Sequence, residues 1–149
     1  MSDLNRFILA QNGVYERALS EIKNGHKVTH WMWYIFPQLK GLGYSEFSEF
    51  YGIRGISEAK DYLSNEVLGA RLIEISTELL KLETSDSSSV FGKIDSVKLR
   101  SSMTLFDYVS DNSDNVFSKV IEKYYDGIKD DITLKICDGL SKDIKTKLR

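Results

Sequence analysis

One proline, one cysteine and two histidines are all that the 149 residues hold of these types, and each scarcity excludes something. With Pro37 alone, helices are free to run, because proline removes an amide donor and clashes inside a helix. Cys137 cannot form an internal disulfide, which fits a reducing compartment and leads us to expect a cytoplasmic protein. It has no histidine near it in sequence to activate a thiol, so it reads as a small buried residue. No apolar run approaches the roughly 18–20 residues of a membrane span, and the N-terminus "MSDLNRF" lacks the pattern of a secretory signal. The formal net charge of −2 lacks the basic excess of a free-standing nucleic-acid binder, which argues against nucleic acid as a partner.

What is present belongs to a globular protein. The length suffices for one hydrophobic core, so we expect a single helical domain over residues 1–149, with a charged tail at 141–149 that frays. Apolar residues recur at helical spacing. Helices are expected near 3–11 (capped by Ser2 or Asp3), 14–24, 30–36 (capped by Thr29), 45–51 and 57–63. Others are expected near 66–82, 96–109 (capped by Asp95) and 115–125 (capped by Asp114), and from 132 (capped by Asp131). Leu68, Leu72, Ile75, Leu79 and Leu82 form the clearest stripe. In the second helix Glu21 falls on the wet side. "ETSDSSSV" and "SDNSDN" read as polar loops. No segment alternates like a strand between hairpin turns. The expectation is an all-α fold of about seven to eight helices with no significant sheet.

Two stretches can carry chemistry. "HWMWYIFPQ" holds both tryptophans, Trp31 and Trp33, with His30 before them and Gln38 after. Aromatic bulk suits a core, and a flat indole also suits a pocket that stacks on a ring. His30 can donate, accept or shuttle a proton. His26 and His30 are four apart, but no third ligand follows, so no metal site is expected. The second stretch is "KLRSSMTLF". There Lys98 and Arg100 with Ser101, Ser102 and Thr104 suit a phosphate or carboxylate, and a polar face packed on another helix is the rival reading. Arg6 lies among apolar residues and needs an internal carboxylate or a ligand as partner, and Gln11 joins it on the same helix. No cofactor motif is present, for Gly92-Lys93 and "GLG" lack the pattern of a phosphate loop.

"DLNRFILAQ", "YERALSEIKNG", "HWMWYIFPQLKGLG", "VLGARL" and "FGKIDSVKLRSSMTLF", in that order and spacing, resemble the domain-of-unknown-function family numbered eighteen-ten. The resembling segments run from Asp3 to Phe117, and the family-like region reaches residue 126. Where Tyr34 stands the family more often has Phe. The resemblance implies a compact, mostly helical fold and no established activity or catalytic residue. Some members carry the label calpastatin, but this chain lacks the repeated, disordered segments such an inhibitor would need.

Two functions follow as expectations. The first is an enzyme or binder of a small anionic or nucleotide-like ligand, in a pocket where residues 30–38 meet residues 98–104. The second is a protein–protein interaction module without activity. Oligomeric state is open.

Overall fold

The computed structural model describes the backbone of residues 3–147 and the side chains of residues 3–141. Among them are nine helices: α1 Asn5–Gln11, α2 Tyr15–Lys23, α3 Met32–Ile35, α4 Glu46–Tyr51, α5 Ile56–Ser64, α6 Leu68–Lys81, α7 Ser87–Tyr108, α8 Val116–Tyr125 and α9 Asp131–Lys147. The fold is all-α. Its extended pairing, among the described residues, is an isolated bridge between Leu39 and Ile53. Each of the nine falls on a segment expected to be helical, one more than the seven to eight of the expected fold, and α3 and α4 are shorter than expected at four and six residues.

The long helices form as their apolar spacing dictates. Leu68, Leu72, Ile75 and Leu79 are buried along α6, which packs on α2, α5 and α8. α7 packs on α8 and α9 and carries Leu99, Met103 and Phe106 into the same core as Trp31, Phe36 and Tyr62. Gly92 breaks α7 by adopting φ 80°, ψ 164°, in the left-handed half of backbone space where a side chain is strained.

The ends of the helices differ from expectation. α7 starts at Ser87 because Asp86 accepts from Ser88 N at 3.0 Å, so Asp95 is not a cap and part of "ETSDSSSV" is helical. Asn115, not Asp114, caps α8 and accepts from Ser118 N at 2.9 Å. Asp130, not Asp131, receives Thr133 N at 3.0 Å at the start of α9. α1 follows Leu4 without a side-chain cap, and Ser2 lies outside the described residues. The backbone of α9 continues to Lys147, and the expected fraying from 141 onward concerns residues mostly outside those described.

Thr29 caps nothing either. α3 begins one turn later, and Thr29 instead donates both its amide (2.9 Å) and its hydroxyl (2.6 Å) to Glu21. Glu21 is therefore not on a wet face. It is buried on α2 and also receives Val28 N at 2.7 Å and Trp31 Nε1 at 2.9 Å. One carboxylate thus shapes the whole loop between α2 and α3. Lys27 N then donates to Val90 O at 2.8 Å and fastens that loop to α7.

Candidate functional site

The fastened loop meets the kinked part of α7 at a small hollow. Lys27, His30, Trp31, Met32, Trp33, Asp95 and Lys98 line a volume of about 100 Å³. Asp95 stands between two ammonium groups, with Lys27 Nζ at 2.9 Å and Lys98 Nζ at 3.3 Å. Lys98 Nζ also lies 3.9 Å from the centre of the Trp33 ring, and Lys27 Nζ lies 5.1 Å from that of Trp31, both cation–π contacts. Two lysines against one carboxylate leave one positive charge over. All three groups are well covered, with side chains 9%, 18% and 21% exposed for Lys27, Asp95 and Lys98. His30 is exposed at the rim, and its carbonyl accepts from Tyr34 Oη at 3.3 Å.

The structure brings His30, Trp31, Trp33 and Lys98 together and sends the other candidates elsewhere. Trp31 is buried, with its indole N–H spent on Glu21, so its ring belongs to the core. Trp33 is half-buried, and one of its faces meets Lys98. Arg100 turns toward the start of α9 and donates to the carbonyls of Ile128 (2.8 Å) and Lys129 (2.9 Å). Ser101 donates to Val97 O at 3.3 Å and Thr104 to Arg100 O at 2.8 Å, both within their own helix. Thr104 also accepts from Asp130 N at 2.9 Å. Ser102 is fully buried, and its hydroxyl has no partner among the described residues. Gln38 is buried in the stretch pinned by the Leu39–Ile53 bridge, and its carbonyl accepts from Ile53 N at 2.9 Å.

Arg6 finds an internal carboxylate. Its Nη2 lies 2.6 Å from Glu58, and the same guanidinium donates to the carbonyls of Asp3, Phe50 (2.9 Å) and Gly52 (3.1 Å). Gln11 donates to Tyr34 O at 2.8 Å and Tyr62 Oη at 3.0 Å, tying α1 to α3 and α5. His26 and His30 share no helix face, because residues 26–30 are not helical, and His26 Nδ1 contacts Ser89 O at 3.0 Å. Among the described residues no group of His, Cys, Asp and Glu could hold a metal ion.

Sequence reasoning missed Lys27 altogether and gave Asp95 only a capping role. The Asp95-x-x-Lys98 spacing was a legible signal, since residues three apart on a helix are neighbours. It also missed a larger groove of about 510 Å³ between the end of α5 and the loop after α7. Four of the polar groups that line it are already engaged. Ser64 and Ser110 donate to the carbonyls of Asp61 and Phe106, Asn112 accepts from Asp114 N, and Asn115 caps α8.

Set against known proteins, residues 1–137 match the family model described as "Protein of unknown function (DUF1810)". The fold is similar to the crystal structure of the conserved hypothetical protein Rv1873 from Mycobacterium tuberculosis. The two share 40% identity at a TM-score of 0.88, over 91% of this chain and 96% of that one. No curated protein matches the chain. Among the described residues no helix is long and apolar enough to cross a membrane.

Proposed function

The chain belongs to the DUF1810 family, and from that premise and the geometry of the hollow we propose that it works as a single cytoplasmic domain binding a small oxoanion, such as the phosphate group of a metabolite. The observation that carries this reading is the Lys27–Asp95–Lys98 triplet against the Trp33 ring, with its surplus positive charge. Charge-assisted contacts to an oxoanion are roughly twice as strong as neutral ones, and covered ammonium groups are screened less than exposed ones. His30 at the rim adds an imidazole that can donate or accept.

The volume sets the ligand's size. Pockets for drug-sized molecules run to roughly 300–1,000 Å³. About 100 Å³ accommodates a phosphate or carboxylate head with its first carbons, while a base and a sugar would have to lie outside. That favours a small phosphomonoester over a nucleotide. The larger groove between α5 and α7 supports this reading less well, because four of its polar groups are already spent on hydrogen bonds to the backbone.

Titrating inorganic phosphate and glycerol phosphate while following the Trp33 indole N–H by NMR tests the proposal. Saturable movement of the Trp33 signal is expected. Lys98→Gln should weaken binding about tenfold, the size of one charged hydrogen bond. Asp95→Asn, which releases both ammonium groups, should strengthen it. No saturable movement, or equal affinity in all three proteins, overturns the assignment.

A further inference from the structure

α4 presents a second surface of quite different chemistry. Glu46, Phe47, Phe50 and Tyr51 line an open basin of about 350 Å³. The rings of Phe47 and Tyr51 are stacked, 5° apart in plane with centres at 6.4 Å, and Phe50 meets Tyr51 edge-on at 4.8 Å. Phe47 and Phe50 are 59% and 57% exposed, although phenylalanine ordinarily gains by burial. The Glu46 carboxylate makes no hydrogen bond or ion pair among the described residues, whereas Glu49, one turn along, is 3.4 Å from Lys40.

Rings with an unpaired carboxylate beside them limit what can sit there. An anion would be repelled by Glu46. A wholly apolar partner would desolvate that carboxylate without pairing it, which is costly. A cation bearing methyl groups meets both conditions: its charge faces the electron-rich ring faces and the carboxylate, and its methyls cover apolar surface.

The basin is also held in place. Arg6, itself paired with Glu58, donates to Phe50 O at 2.9 Å and Gly52 O at 3.1 Å, which anchors the C-terminal end of α4. The rings therefore stand on a backbone fixed to the core, and less ordering is needed when a ligand arrives.

We propose that α4 carries a binding site for a small soluble quaternary ammonium compound, held by Phe47, Phe50 and Tyr51 with Glu46 as counter-ion. It is independent of the oxoanion hollow, with which it shares no lining residue.

The test is an NMR titration of the intact protein with choline, with tetramethylammonium, and with 3,3-dimethylbutanol, the uncharged counterpart of choline. Both cations should move the Phe47 and Phe50 ring signals saturably, and the neutral alcohol should bind at least severalfold more weakly. Phe47→Leu keeps apolar bulk and removes the ring, so it should weaken cation binding about two- to fivefold, the size of one exposed cation–π contact. Glu46→Gln should reduce the preference for choline over the alcohol. An unmoved Trp31 indole signal certifies that each variant is folded. Equal binding of alcohol and choline, no saturable movement, or an unchanged affinity in folded Phe47→Leu overturns the proposal.

Discussion

Trp31 donates its indole N–H to Glu21 at 2.9 Å, and both groups are buried. Burial by itself would raise the Glu21 carboxyl, but hydrogen bonds from the Thr29 hydroxyl, the Thr29 and Val28 amides and Trp31 outweigh it and hold the group at about 2, below its ordinary 4.5. A carboxyl depressed in the folded state stabilises the fold above its unfolded value, and that stabilisation is lost as pH falls through the folded one. The loss should therefore run from about pH 4.5 down to about 2 and amount to about 3 kcal/mol. Glu21→Gln should lose stability at pH 7 and show a flatter acid limb in that window, as read by urea unfolding at a series of pH values.

Arg6 and Glu58 form the other buried charged centre. Glu58 also accepts from Arg54 N at 3.2 Å. Removing one partner leaves a charge buried alone, so Glu58→Gln or Arg6→Met should cost about 3–5 kcal/mol. The double variant should cost less than the sum of the two. A double-mutant cycle by denaturant unfolding measures that difference, and strict additivity would show that the pair is not coupled.

Helices with long apolar stripes were legible in the sequence because burial writes itself as period. α6 is the clear case, since Leu68, Leu72, Ile75 and Leu79 all face inward. The meeting of the tryptophan segment with Lys98 was expected from ligand chemistry, an indole to stack on a ring and a cation to hold an anion, whereas the contact seen is the cation over the indole itself. Arg100 was not legible, because its partners are the carbonyls of Ile128 and Lys129, and a carbonyl has no signature in sequence. Glu21 followed the same logic in reverse: an amphipathic helix predicts a wet glutamate, and only the returning loop supplies the donors that let it be buried. Caps failed where several Asp and Asn residues stand within a turn of one another, as at Asp114 and Asn115, because each type can fill the role. Arg100 and Glu21 thus escaped because their partners come from elsewhere in the chain, and the caps because their alternatives lie side by side.

Gly69, in the first turn of α6, lies against the backbone of Leu63 in α5. A Cβ built there would lie 2.0 Å from Leu63 O and 2.8 Å from Leu63 C, both backbone atoms that cannot swing aside. Gly69→Ala should therefore destabilise despite alanine's better helix propensity of about 1 kcal/mol. Gly92→Ala is a useful contrast, since a Cβ there meets nothing within 4 Å and its cost is confined to the positive φ. Thermal unfolding should rank Gly69→Ala below Gly92→Ala, and an unchanged midpoint for Gly69→Ala would mean that the helices can part.

Ser102 and Thr104 look alike in sequence and should respond oppositely to losing their hydroxyls. Ser102 is fully buried with its oxygen unpaired among the described residues, so the folded state carries a desolvation cost with no hydrogen bond against it. Ser102→Ala removes that cost along with a little packing, and stability should be unchanged or higher by up to about 1 kcal/mol. Thr104 accepts from Asp130 N at 2.9 Å and so helps to set the entry into α9. Thr104→Val keeps the shape but leaves that amide without its acceptor, which should cost about 1–3 kcal/mol. If phosphate affinity at the Lys27–Lys98 hollow follows neither change, the two hydroxyls serve the fold alone. A loss of affinity in Ser102→Ala at unchanged stability would instead mean that α7 opens to admit the ligand more deeply than the hollow described above.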